Sequence, residues 1–249
     1  MTERTRVVFI ETPTNPLLRI VDIAAVAKVA HTRDALLVVD GTLGSPYNQL
    51  PLALGADLVV HSASKYLNGH SDLIVGAVAG ARERTRRVRS LQFVEGSILD
   101  PLACWLVHRG LTTYALRMKQ HNANGMVVAR FLQEHTKVQC VNYPGLESHP
   151  QHSLAKRQMT DFGGLLSFEV RGSREMAQKV VDNCRICGRG PSVGGVESLI
   201  SQPLATSHYS VPAKDRAAMG INDNLVRLSI GIEASEDIIA DLAQALDAA

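Results

Sequence analysis

The sequence predicts an α/β protein, a mainly parallel sheet covered by helices and followed by a smaller α+β unit. Three observations predict it. Short, continuous apolar runs recur through the first 80 residues, as strands buried on both faces require. Between them lie stretches with apolar residues at helical spacing, the alternation that builds crossover connections. Past about residue 100 this alternation gives way to long helical patterns and scattered strands.

The elements follow in order. Val7-Val8-Phe9-Ile10 reads as a buried strand running into the turn Glu11-Thr12-Pro13. Ile20 to Arg33 carries Ile20, Ile23, Val26 and Val29 at helical spacing, with Asp22 near its start. Ala35 to Asp40 is a second strand, and Ala53-Leu54-Gly55 reads as a helix end with its glycine. Leu58 to His61 and Leu73 to Val78 are further strands. Ligands of such sheets gather at the carboxyl ends of the strands, which singles out Glu11 to Asn15, Asp40 and Ser62 to Lys65. Helices are predicted over Leu102 to Gln120, Asn124 to His135, Ser173 to Cys184 and Ser235 to Leu246. Strands are predicted over Val138 to Tyr143, Leu165 to Val170 and Val226 to Ile232. The two units are therefore expected at residues 1–105 and 106–249.

Composition narrows the function. With 249 residues, 45% apolar, and 26 basic against 24 acidic side chains, the chain can bury an ordinary globular core. A net charge of +2 gives no electrostatic footprint for nucleic acid or an anionic membrane. The run Arg82 to Arg89 fits a solvated helix. No apolar stretch reaches the roughly 18 residues that a membrane span needs. Four cysteines are too few for a disulfide scaffold, so a reducing, intracellular setting is expected.

Asp40 and Lys65 are the first candidates for chemistry, against the plainer reading of a solvated lysine and an acid that caps a turn. A carboxylate ending an apolar strand is costly without a cationic partner. Lys65 lies just beyond another strand, behind the hydroxyls of Ser62 and Ser64 and ahead of the small polar stretch Asn68-Gly69-His70-Ser71-Asp72. In Val226 to Ile232, strict alternation puts Val226, Leu228, Ile230 and Ile232 on one face and Arg227 on the other. A guanidinium held by a strand presents a fixed fork for a carboxylate.

These stretches, with Glu11-Thr12-Pro13-Thr14-Asn15-Pro16, Asp40-Gly41-Thr42, Tyr143-Pro144-Gly145-Leu146, Gly194-Gly195-Val196-Glu197-Ser198 and Val226-Arg227-Leu228-Ser229, resemble the pyridoxal-phosphate enzymes of cysteine and methionine metabolism. This is the cystathionine γ-synthase and γ-lyase family, and Lys156-Arg157-Gln158-Met159-Thr160 is most similar to its plant-type synthases. The resemblance runs over nearly the whole chain. It implies a fold-type-I pyridoxal-phosphate transferase, with 1–105 the latter half of the cofactor domain. It implies that Lys65 is the Schiff-base lysine and that Asp40 faces the pyridine nitrogen. It implies that Ser62 and Ser64 donate to the phosphate and Asn15 to the ring's 3-oxygen. On the substrate side it assigns the α-carboxylate to Arg227 with Ser192, and the distal amino group of cystathionine to Glu197.

The implied activity joins cysteine to an activated homoserine ester, with a cystathionine or methionine γ-lyase as the alternative. The implied assembly is a homo-oligomer, a tetramer built from dimers, in the cytoplasm or, with a transit peptide, the plastid. The first motif corresponds to a point well inside the family's large domain, so about a third of a family member is expected upstream of Met1. That segment would carry a ring-stacking aromatic and further phosphate donors, which makes the isolated chain a poor enzyme or a catalytically silent assembly partner. Cys184-Arg185-Ile186-Cys187 has thioredoxin or zinc spacing but no second ligand pair, so it is read as structural and no metal is expected. Asp161-Phe162-Gly163, His149-Pro150-Gln151-His152 and His70-Ser71-Asp72 are read as structural.

Overall fold

The computed structural model describes residues 1–249. The first sheet consists of β1 (Val7–Glu11), β2 (Leu36–Asp40), β3 (Leu58–Ser62) and β4 (Gly76–Gly80), in that spatial order. The first three strands are parallel and β4 runs antiparallel to β3. Helix α1 (Ile23–His31) starts at Asp22, whose carboxylate accepts the Ala25 N–H at 2.9 Å. Ile23, Ala27 and Ala30 of α1 pack with Leu37, Val39 and Val59 of the sheet. Val7 and Phe9 are exposed, so at the β1 edge a helix covers one face where the sequence predicts two covered faces. A short α2 (Ser45–Asn48) follows β2.

Two expected boundaries move. The apolar run from Leu73 does not join the sheet until Gly76, which pairs with Ser62. Its earlier part closes over Ser64 instead: Val75 donates its N–H to Ser64 Oγ at 2.8 Å and accepts the Ser64 N–H at 3.2 Å. The predicted long helix breaks at Thr112-Thr113 into α4 (Pro101–Leu111) and α5 (Tyr114–Glu134), after a solvated α3 (Arg82–Glu95) with no buried side chain. The break has a cause. Gly110 lies so close to Asn68 that a Cβ there would sit 2.4 Å from the Asn68 carbonyl oxygen. The Gly110 carbonyl is then capped by Arg117 Nη2 at 2.9 Å, which ends α4. The expected boundary between residues 105 and 106 falls inside α4.

The second sheet has the order β5-β6-β9-β8-β7, formed by β5 (Val138–Asn142), β6 (Leu165–Val170), β7 (Gly188–Arg189), β8 (Leu199–Ser201) and β9 (Leu225–Ser229). Helices α6 (His152–Gln158), α7 (Arg174–Asn183), α8 (Ala213–Met219) and α9 (Ser235–Asp247) complete this unit. Leu166, Phe168, Val226, Leu228 and Ile200 turn one face of the sheet onto α5, α7 and α9 and form the larger core. The other face carries Ser167, Arg227 and Ser201 side by side on β6, β9 and β8. That face meets the first unit, where Ser167 Oγ donates to the Pro16 carbonyl at 2.7 Å and Leu18, Leu43, Leu165 and Val193 pack together. Strand β9 stops at Ser229 rather than at Ile232, because Gly164 accepts the Ile230 N–H at 2.7 Å and His121 Nδ1 hydrogen-bonds the Ile230 carbonyl.

Candidate active site

The parallel register aligns the carboxyl ends of the strands. Glu11 on β1 stands opposite Asp40 on β2, and Asp40 opposite Val60 on β3. The chain therefore leaves the three strands on one edge, with Glu11, Asp40 and the Ser62–Lys65 turn as neighbours. Asp40 Oδ1 accepts the Thr42 N–H at 2.9 Å, while Thr42 Oγ1 accepts the Ser62 N–H at 2.8 Å. This two-step tie fixes the acid relative to the lysine turn. Burial and the nearby Asp40 raise the Glu11 carboxyl above its ordinary range, against the Asn15 N–H that it accepts. Burial lowers the imidazole of His61, although Asp40 and a hydrogen bond at Gly41 oppose it.

Lys65 is half-buried, and its Nζ donates to Ser192 Oγ at 3.3 Å. Burial, and then the charge of Arg227, lower its pKa. Arg227 itself is 3% exposed, and burial lowers it to about 10. Its Nη1 donates to Asn15 Oδ1 at 3.3 Å and its Nη2 to the Pro191 carbonyl. No carboxylate pairs with it. A guanidinium removed from water and held only by neutral oxygens is an unbalanced charge in search of an anion.

Two direct hydrogen bonds, Lys65 to Ser192 and Arg227 to Asn15, are linked through the bond from Arg227 to the Pro191 carbonyl and gather these residues from parts of the chain up to 212 residues apart. Asp40, Ser62 and Ser64 lie on the adjoining strand ends. Ser62 Oγ makes no hydrogen bond within the protein, whereas Ser64 Oγ donates to the Val75 carbonyl at 3.3 Å. Glu197 lies elsewhere in the hydrogen-bond network: its Oε1 accepts from Ser71 Oγ, and no bond joins it to Lys65 or Arg227.

The turn after Lys65 is held from beneath by residues that no sequence motif discloses. Arg117 on α5 is buried and donates to the carbonyls of Tyr66 at 2.7 Å and Leu67 at 3.1 Å. Tyr66 is fully enclosed, with its hydroxyl accepting the Gly164 N–H at 3.2 Å and burial pushing its pKa up to about 12. Gly194 approaches it with φ +75°, and a Cβ there would lie 2.8 Å from the Tyr66 nitrogen. His121 meets the Tyr66 ring edge-on at 5.1 Å between centroids. A lone arginine and a lone histidine on a helix look like any other; their role becomes visible only when Tyr66 is in place.

His121 makes a pH prediction. Its Nδ1 hydrogen-bonds the Ile230 carbonyl at 2.8 Å and its buried Nε2 has no protein partner. Burial lowers its pKa from 6.5 to about 4. The unfolded chain then binds the extra proton between those values, so this stabilisation is complete above about pH 6.5 and is lost as pH falls toward 4. The full difference is up to about 3 kcal/mol. Urea denaturation at pH 7.5 and pH 5 is expected to show a smaller loss of stability for His121→Gln than for the parent. Equal losses in the two proteins would contradict it.

A cleft of about 660 Å³ lies apart from Lys65, between β4 and α3, and is lined by Gly76, Val78, Arg82, Arg86 and Arg89. No helix is long and apolar enough to cross a membrane.

Residues 1–247 match the family model described as Cys/Met metabolism PLP-dependent enzyme. The chain belongs to that family. Cystathionine gamma-lyase of Dictyostelium discoideum is 49% identical over 247 residues, which are 99% of this chain and 64% of that protein. Cystathionine gamma-synthase 1, chloroplastic, of Arabidopsis thaliana is also 49% identical, over 96% of this chain and 43% of that protein. Among solved structures, cystathionine gamma-lyase from Lactobacillus plantarum complexed with L-serine superposes with a TM-score of 0.96 at 43% identity, over 100% of this chain and 65% of that one. The chain therefore spans less than two thirds of the length of these relatives. The family is pyridoxal-phosphate-dependent, and the mixed α/β sheets of this chain are those of its fold-type-I architecture.

Proposed function

We propose that Lys65, Asp40 and Arg227 form the centre of an enzyme acting at the γ-carbon of an amino acid. On this reading it joins cysteine to an activated homoserine ester to give cystathionine. The observation that carries this reading is Arg227, a buried guanidinium without a carboxylate partner. It donates to the Pro191 carbonyl, and the next residue, Ser192, accepts from the half-buried Lys65. Such a charge suits the α-carboxylate of an amino acid, which it would hold within reach of Lys65.

The residues fit pyridoxal phosphate. Lys65 would hold its aldehyde carbon, since a lysine with a lowered pKa offers more of the neutral, nucleophilic amine. Asp40 would keep a proton on the pyridine nitrogen and Asn15 would face the 3-oxygen. Ser62 would donate to the phosphate, joined by Ser64 in exchange for its long bond to Val75. Bound there, the cofactor withdraws electrons from the substrate's Cα and so acidifies its Cα–H and Cβ–H bonds. Lys65 takes those protons and returns them, as a group on a flexible stem can. Overall, the C–O bond at Cγ breaks, the activating group leaves with that oxygen as its acid, and the sulfur of cysteine loses its proton and forms the new bond. Glu197 and Ser192 complete the substrate side of this reading, and exposed Leu91, Phe93, Leu102 and Trp105 on α3 and α4 suit a homo-oligomer.

A second reading is γ-elimination, supported by the γ-lyases among the similar proteins. Supplying the protein and pyridoxal phosphate with cysteine and a homoserine ester, and separately with cystathionine or methionine, distinguishes the two. Cystathionine from the first mixture supports synthesis. An α-keto acid and ammonia from the second mixture alone would replace it with the lyase reading.

A further inference from the structure

Cys184 and Cys187 occupy the turn between α7 and β7, outside the proposed site. Their sulfurs and the carboxylate of Asp241 on α9 all lie within 4.8 Å of one another. The carboxylate accepts the backbone N–H groups of Arg185 at 2.7 Å, Ile186 at 2.8 Å and Cys187 at 3.0 Å, and Gln244 Nε2 at 3.0 Å. Both of its oxygens are therefore committed to amide donors, and the turn is wrapped around it. That leaves Asp241 poorly suited as a metal ligand and leaves two thiols facing each other in a rigid loop. Cys187 is buried, at 3% exposure, and Cys184 is half-exposed. The neighbouring Cys184 and burial both raise the pKa of the Cys187 thiol, so of the two it is the less ready to attack first.

We propose that Cys184 and Cys187 form a reversible dithiol–disulfide pair whose co-reactant is a small-molecule disulfide. Cys184 attacks as its thiolate. The S–S bond of the small disulfide breaks, one thiol leaves with the electron pair and takes up a proton, and a mixed disulfide remains on Cys184. Cys187 then gives its proton to solvent, attacks the Cys184 sulfur and expels the second small thiol. Two protein thiols are oxidised by two electrons while one small disulfide is reduced to two thiols. Asp241 holds residues 185–187 throughout, and the two sulfurs already lie within 4.8 Å of each other. The pair stands at the root of the segment that carries Pro191 and Ser192, and its cross-link would fix the turn from which that segment departs. This inference does not depend on the cofactor or on the proposed reaction.

The test uses oxidised glutathione and peptide mapping. Cys104→Ser with Cys140→Ser removes the two exposed cysteines and leaves only this pair. Trypsin cuts after Lys179, Arg185 and Arg189, which places Cys184 in peptide 180–185 and Cys187 in peptide 186–189. The expected product is these two peptides joined, two hydrogens lighter than their sum and separated again by dithiothreitol, with titratable thiols falling from two to none. Glutathione retained on Cys184 beside a free Cys187 would overturn the proposal, as would recovery of both peptides unlinked. Mapping the unsubstituted chain in the same way must give the same linked pair, and a link from Cys184 to Cys104 or Cys140 would also overturn it.

Discussion

Lys65→Ala is expected to lower turnover by at least about 1000-fold and to remove covalently held pyridoxal phosphate. A positioned acid–base group alone is worth about 100- to 10,000-fold, and this amine is also the proposed attachment point of the cofactor. The effect is specific because the side chain is part of none of the hydrophobic clusters. Apart from the Nζ bond to Ser192 Oγ, its hydrogen bonds are those of the backbone: Lys65 donates its N–H to the Ser62 carbonyl and accepts the Gly69 N–H, and both survive the substitution. Circular dichroism, and the thermal midpoint of the two proteins compared without cofactor, should therefore match the parent, while absorbance of the bound cofactor disappears. Activity within tenfold of the parent would remove Lys65 from the chemistry.

Arg227→Ala is expected to weaken amino-acid binding by about 100-fold or more while cofactor absorbance persists. Truncating one partner of a buried, hydrogen-bonded charge pair costs roughly 2–5 kcal/mol, and the substrate carboxylate is the proposed partner. Removing a charge that the free protein leaves unbalanced should not lower its stability by a comparable amount, since that charge is costly to bury. Arg227→Lys should restore little, because an ammonium cannot reproduce the fork that reaches both Asn15 and the Pro191 carbonyl. The decisive readout is KM against cofactor affinity. Loss of the cofactor with an unchanged KM would contradict the assignment.

Local pattern makes much of this legible. The strand ends at Glu11, Asp40 and Ser62 follow from apolar runs that stop at polar residues, and the parallel register then aligns them. Alternation along β9 is enough by itself to turn Arg227 away from the core. What pattern cannot supply is partnership across the chain. Arg227 meets Asn15 across 212 residues, and Lys65 meets Ser192 across 127. Glu197 shows the limit from the other side, since its motif is present but its carboxylate is engaged by Ser71. Strands β7 and β8 escape a reading of periodicity because two and three residues are too few to display a period. The break between α4 and α5 escapes it because its causes, Asn68 against Gly110 and the reach of Arg117, are tertiary.

The proposed attachment point of pyridoxal phosphate is the Lys65 amine. Saturating the protein with the cofactor, reducing with borohydride and digesting with trypsin tests it directly. Attachment at Lys65 blocks cleavage there, so one labelled peptide spanning residues 34–82 is expected. Label concentrated on any other lysine, or spread evenly among the lysines while peptide 34–65 is released unlabelled, would contradict it.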